Sequence, residues 1–242
     1  MLKAVKNYTH DCLNFYKYPE DMPVSGEYEI PVVKGIRLKK TKGLKVIAFD
    51  ECHLIPPKER KQYIVHFYIY DYKFERVWTY INKNTEFLKQ FKAVISPDFS
   101  QYIDMPRAMQ IWNLWRCNFM AYWWQSHGIP VIYNACWSDS LSFLYTWDGA
   151  PKNGCICVSS KGCVLEDKRN TKDDTLIQTS SRFKAGFIDM LDNLSPAQVM
   201  WLGVKPAWLE SIVEEYGFEL VTPEHRKLYQ ERLDGRKKNH GK

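Results

Sequence analysis

Four aspartates, Asp50, Asp71, Asp98 and Asp139, each follow an apolar run, and serines stand nearby at Ser100, Ser138, Ser159 and Ser160. Short apolar runs bounded by polar and turn residues read as buried strands, and α/β folds gather the polar C-terminal ends of such strands along one rim. Carboxylates converging there either raise one another's pKa or bind a hard cation such as Mg²⁺, with Asp50, Asp71 and Asp98 as the metal ligands. Either arrangement serves hydrolysis or phosphoryl transfer, and Asp98, Asp139 and Ser100 are the candidate catalytic groups. The competing reading is structural, because Asp caps helices and turns chains routinely. At Asp98 the chemical reading is preferred, since Pro97 and Ser100 frame it in a fixed loop.

A substrate phosphate would need cations and polar donors at the same rim. Arg76 and Arg116 lie in aromatic-rich segments, where guanidinium holds a phosphate or pairs with a carboxylate such as the adjacent Glu75. Trp137, Ser159 and Lys161, just beyond the fourth and fifth apolar runs, complete the candidate substrate-binding set. His53 reads as an exposed loop residue and His66, inside an apolar run, as a hydrogen-bonded core residue. The seven cysteines lack the spacing of a disulfide framework. Cys155 and Cys157 share one face of a strand and Cys163 follows it, which fits buried thiols better than a metal–thiolate cluster.

These groups need a scaffold. Strands are expected over 44–49, 64–70, 93–96, 131–135, 155–159, 199–202 and 218–221. Helices are expected between them, at 86–91 with Asn84 or Thr85 as N-cap, from Asp104 or Pro106 to 126, from Asp139 or Ser140 through 145, at 182–194 and at 206–216. Trp112, Trp115, Phe119, Tyr122 and Trp123 recur at three- and four-residue steps, the stripe of a helix packed on a sheet rather than a nucleic-acid stacking surface. The polar stretch 166–181 has little to bury and reads as an insertion able to act as a lid. Repeating βα units predict an α/β fold with a mainly parallel sheet. A compact or incomplete (β/α) barrel is favoured over an open doubly wound sheet, because no Gly-rich phosphate loop follows an early strand. Neither a P-loop nor a G-x-S-x-G elbow is present.

The 242 residues suit one such domain at 43–230, with an extended lead-in over 1–42 and a basic, flexible tail over 231–242. Aromatic residues make up 15%, with nine Trp and fifteen Tyr, enough for a thick aromatic core. The net charge of +6 gathers at Lys39-Lys40-Thr41-Lys42 and at Arg236-Lys237-Lys238. It tolerates acidic partners without requiring them. No apolar run of membrane-spanning length and no signal-peptide core occurs, so a soluble, cytoplasmic protein is expected, with no membrane partner.

Phe74-Glu75-Arg76-x-Trp78, Ile95-Ser96-Pro97-Asp98-Phe99-Ser100, Asp104-Met105-Pro106, Gln110 with Asn113 and Arg116, Gly128-Ile129-x-Val131-Ile132 and Trp137-Ser138-Asp139 with Ser142-Phe143 together resemble a family, domain of unknown function 4417. The resemblance covers roughly 65–205, with Phe183, Gly186, Met190 and Pro196 continuing it. Members occur in bacteria and their phages, so it implies a phage or mobile-element setting; it carries no activity. The chain departs from the family pattern at Asn134-Ala135-Cys136, where proline and small hydroxyl residues are usual, and in the Cys-rich fifth strand.

Two functions follow. The first is a metal-assisted enzyme acting on a nucleotide or nucleic-acid phosphoester at the strand ends. The second is a non-catalytic protein that engages nucleic acid or a host protein through exposed aromatic residues and its basic ends.

Overall fold

The computed structural model describes residues 19, 21–161, 163 and 174–231. A short antiparallel pair, β1 (Val24–Ser25) and β2 (Ile30–Pro31), precedes the main sheet. Then come β3 (Lys45–Ala48), β4 (Tyr63–His66), α1 (Arg76–Thr79), α2 (Ile81–Leu88), β5 (Ala93–Ile95), α3 (Arg107–Ser126) and β6 (Val131–Asn134). The rest is β7 (Cys155–Ser159), α4 (Asp174–Leu194), β8 (Gln198–Leu202), α5 (Leu209–Tyr216), β9 (Glu219–Val221) and β10 (Glu224–Arg226). From β4 to β8 nearly every strand residue is buried, the composition of a parallel sheet covered on both faces.

All eight strands of that sheet run parallel in the order β10-β3-β4-β5-β6-β7-β8-β9. Its two edge strands are consecutive in the chain, with only Thr222 and Pro223 between them. Three peptide steps span at most about 11 Å. The sheet therefore curls on itself as an incomplete barrel, the favoured architecture. One extended segment, 219–226, pairs with β8 through its first half and with β3 through its second.

Strand alternation divides the side chains into two sets. Val46, Ile64, Ile95, Ile132, Cys157, Met200 and Val221 form the cluster inside the curl. Ile47, Val65, Val94, Tyr133, Val158 and Trp201 face outward into a larger cluster with the helices. Residues 33–42 lie beneath the N-terminal ends of the strands. Cys155 N donates to Ile36 O at 2.6 Å, Leu38 N donates to the Gln198 side-chain oxygen at 2.7 Å, and Ile36 and Leu38 pack on the inner cluster. That end is sealed by apolar side chains, which leaves the C-terminal end as the mouth.

The aromatic stripe on α3 is only partly core: Phe119 is buried, Trp115, Tyr122 and Trp123 are half-buried against the core, and Trp112 is 37% exposed. Trp112, Trp115, Phe119 and Trp123 form a ladder of stacked rings 5.2–6.2 Å apart, and Phe119 is buried against Trp78. Several expected boundaries shift: the strand expected to reach Tyr70 ends at His66, and the helix expected from Pro206 begins at Leu209. In α2, Asn84 and Thr85 sit inside the helix and bond back to the Tyr80 and Ile81 carbonyls instead of capping it. The helix expected after Asp139 is a 3-10 turn, Ser140–Leu144, with Asp139 its N-cap through Ser142 N. The start of α4 at Asp174 absorbs the second half of the expected polar insertion, and 166–173 lies outside the described residues. No helix among the described residues is long and apolar enough to cross a membrane.

Candidate active site at the barrel mouth

Every residue of the loop after β5 has a fixed place. Ser96 is buried and its hydroxyl accepts from Asn134 N at 2.7 Å; Pro97 O accepts from Asn134 Nδ2 at 3.3 Å. Phe99 is fully buried, with the Arg116 guanidinium 3.5 Å above its ring and Phe74 beside it at 4.8 Å. Ser100 donates to both Asp71 oxygens, through N at 3.0 Å and Oγ at 2.9 Å, and its carbonyl accepts from Asn113 at 2.5 Å. Asp98 is thus carried on a loop pinned from both sides.

Its carboxylate meets a chain of polar groups from three other strand ends, those of β4, β6 and β7. Asn134 Nδ2, at the end of β6, donates to Asp98 Oδ1 at 2.8 Å, and Asn134 Oδ1 accepts from Tyr68 Oη at 2.7 Å. The Cys136 thiol also bonds Asp98, and Lys161, just past β7, donates to Tyr68 O at 2.9 Å. Loss of water around Asp98 raises its pKa from the ordinary 3.8 to about 6; the nearby Asp71 adds to this, and Asn134, Cys136 and Lys161 act against it. Burial pushes the Cys136 and Cys157 thiols and the Tyr68 phenol upward, so all three are neutral donors. Burial thus moves the Asp98 carboxyl toward the neutral range.

Two histidines meet across β3, one from β4 and one from β10. The ring nitrogens Nε2 of His66 and His225 are 2.8 Å apart. His66 Nδ1 accepts from Tyr68 N at 3.3 Å, which assigns the His66 proton to Nε2 and makes His225 the acceptor. Burial lowers the His66 pKa well below 6.5, with His225 and Lys161 adding to the effect. A folded-state pKa below the unfolded one means that acid favours the unfolded chain, so the contribution is complete above about pH 6.5 and is lost as pH falls below it. A pH series of urea melts on the native chain and on His66→Gln is expected to show a steeper acid-side loss in the native chain; parallel curves would refute it.

The remaining candidates serve elsewhere. Asp50 pairs with Lys73 at 2.7 Å, and Asp71 is occupied by Ser100. Asp139 takes a bidentate pair of 3.0 Å bonds from Arg107, which hold its carboxylate below the ordinary range. Asp50, Asp71, Asp98 and Asp139 are not gathered at one point; among the described residues no group of three or more His, Cys, Asp or Glu is placed to hold a metal ion. Arg76 lies 4.7 Å over Phe49, and Arg116 bonds Glu75 at 2.7 Å while it props Phe99. Ser159 Oγ accepts from Lys161 N at 3.3 Å. Asp98, Ser159 and Lys161 are the sequence-derived residues that meet at the mouth. Tyr68, Asn134, Cys136, His66 and His225 join them unforeseen as site residues; the departure from the family pattern at Asn134 and Cys136 was their one sequence signal.

Trp137 sits off the mouth, stacked on Phe183 at 5.2 Å and pressed against Gly186 of α4. A methyl group at Gly186 would fall 2.1 Å from Trp137 Nε1. Gly186→Ala is expected to cost about 1–3 kcal/mol by overpacking. Thermal unfolding followed by Trp fluorescence checks this, and an unchanged midpoint would contradict it.

Residues 22–217 match the family described as Domain of unknown function (DUF4417). The Gene 1 protein of Mycobacterium phage D29 is 34% identical over 139 residues, 57% of this chain and 48% of that protein. The Gene 1 protein of Mycobacterium phage L5 is 33% identical over 139 residues, 57% of this chain and 56% of that protein. The matched stretch spans about half the length of these curated relatives. No solved structure matches the chain. With a family match running from the hairpin through α5, the chain belongs to the DUF4417 family and has phage proteins among its relatives.

Proposed function

We propose that the chain is an enzyme acting on a phosphoester of a nucleotide or nucleic acid at the barrel mouth. One observation carries this reading: Asp98, a half-buried carboxyl with its pKa raised to about 6, is held by Asn134 and Cys136 at a mouth that also carries the exposed Lys161 cation. A carboxyl group poised near neutrality gives and takes protons with little penalty in either direction. Lys161 supplies a point charge for a phosphate oxygen, and the Tyr68–Asn134 hydrogen bond holds the amide that orients Asp98. A divalent cation enters this reading with the substrate, because Mg²⁺ is commonly held by one or two carboxylates together with substrate phosphates.

The test is turnover of a panel of nucleotides and short oligonucleotides, with and without Mg²⁺ or Mn²⁺, by the native chain, Asp98→Asn and Lys161→Met. The expected result is hydrolysis that falls about 10²–10⁴-fold in Asp98→Asn and a raised KM in Lys161→Met. Turnover indifferent to Asp98, or none across the panel, would overturn the proposal.

A second reading, docking of a host protein without chemistry, draws on the exposed Ile103, Met109, Leu141 and Leu144. The Arg107–Asp139 pair brings the start of α3 and the 3-10 turn together there. Pull-down with Met109→Asp and Leu144→Asp would separate this role from anything that depends on Asp98.

A further inference from the structure

Between β4 and α1 the chain passes over the lip of the mouth and exposes two tyrosines in succession on a spacing of two. Tyr70 is 69% exposed and Tyr72 is 77% exposed, an unusual position for large aromatic side chains. Their rings are stacked, 5.8 Å apart and 12° from parallel, so they present a preformed aromatic surface. The loop that carries them is anchored to the site at both ends. On one side the Tyr68 hydroxyl reaches Asn134 and the Tyr68 carbonyl holds Lys161. On the other, Asp71, which stands between the two tyrosines, binds Ser100 only two residues from Asp98.

Two lysines border this surface. Lys73, which follows Tyr72, is paired with Asp50 at 2.7 Å, and Lys227 follows β10, with Tyr229, 47% exposed, close enough to influence Lys73. β10, β3 and β4 are neighbours in the sheet, so the loops at their C-terminal ends share one side of the mouth. Glu51 Oε2 accepts from Leu228 N, which draws the segment after β10 against the loop after β3. Exposed aromatic rings with lysines beside them suit unpaired bases and their phosphates: every base has a π-face to stack, and each phosphate needs only a nearby positive charge. A duplex offers the phosphates but no free base face, since its bases are stacked on one another already.

We infer that the Tyr70–Tyr72 pair is a stacking platform for single-stranded nucleic acid, whose backbone then runs past Lys161 toward Asp98. This deepens the phosphoester reading and rests on it for the direction of the strand, while the platform itself is a binding claim. Its geometry places the stacked base on the rim, with the phosphate beside it over the mouth.

The experiment is a fluorescence-anisotropy titration of the full chain with a fluorescein-labelled oligothymidylate, against a duplex of the same length. It compares the native chain with Tyr70→Ala/Tyr72→Ala and Tyr70→Phe/Tyr72→Phe. Stacking is worth about 1–3 kcal/mol per base, so the alanine pair is expected to weaken single-strand binding about 5- to 150-fold. The phenylalanine pair, which keeps both rings, is expected to stay within about twofold, and binding is expected to weaken with added salt. Because both side chains are exposed, neither variant should lower the melting temperature measurably. No binding of the single strand, equal binding by the alanine pair, or binding of the duplex as tight as the single strand would each overturn the platform. The titration needs no turnover, so its failure is distinct from failure of the Asp98 reading.

Discussion

Asp98→Asn is expected to make the protein inactive and more stable at once. The ionised carboxylate is costly where it stands: at 1.36 kcal/mol per pKa unit, a rise from 3.8 to about 6 corresponds to about 3 kcal/mol against the charged form. Asparagine keeps an oxygen for the 2.8 Å bond from Asn134 and carries no charge to desolvate. Part of the gain is offset at the Cys136 thiol, which loses a carboxylate acceptor. A net gain of about 1–2 kcal/mol remains, and for a chain of this size it raises the melting temperature by about 2–8 °C.

The sign of the pH dependence separates this account from a packing effect. A carboxyl group whose folded pKa is raised takes up its proton earlier in the folded chain, so the penalty is full above about pH 6 and disappears as pH falls through that value. The advantage of Asp98→Asn is therefore largest at pH 8 and closes by about pH 4. Parallel melts of the two proteins at pH 8, 6 and 5 measure it. A variant less stable than the native chain at pH 8, or a difference that does not change with pH, would show that Asp98 is not held against its solvation. A gain in stability of that size and pH dependence is what the proposed acid–base role of Asp98 predicts.

The strands were legible because a parallel sheet covered on both faces leaves near-continuous apolar runs, as at Val131-Ile132-Tyr133 or Val199-Met200-Trp201. The fixed loop around Asp98 was legible too, since Ser96, Pro97 and Ser100 are residues that set turns. What the residues could not announce was who meets whom across the barrel. Tyr68 and Asn134 touch across 66 positions of sequence, and His66 and His225 across 159. Those pairings follow from register and curl, which local pattern does not encode. The carboxylates illustrate the same limit from the other side: four aspartates at strand ends share a rim in principle, yet Lys73, Ser100 and Arg107 each take one for a local bond. Strand β10 escaped notice because Glu-His-Arg has no apolar residue to betray it.

That final segment carries the second large effect. Residues 219–226 are the one connection that joins the two edges of the sheet, and Val221, 2% exposed, plugs the inner cluster from β9. Pro223 stands where the segment leaves β8 and has not yet joined β3, a position where a missing N–H costs nothing. Val221→Asp places a carboxylate among Val46, Met200 and Leu202 with no partner. The expected loss is about 3–5 kcal/mol, the penalty of an unpaired buried charge. Thr222→Asp, one residue on and exposed, is expected to stay within about 0.5 kcal/mol and controls for the added charge. A chain stopped after Gly217 loses both pairings and leaves β3 and β8 as open edges, and is expected to lose its cooperative transition and aggregate. Urea denaturation of the native chain and the three variants decides the matter. Equal midpoints for the native chain and Val221→Asp would mean that the barrel holds without its closing strand. The ordered loss predicted here would instead make 219–226 the element that keeps the neighbouring His66–His225 contact, and with it one wall of the mouth, in place.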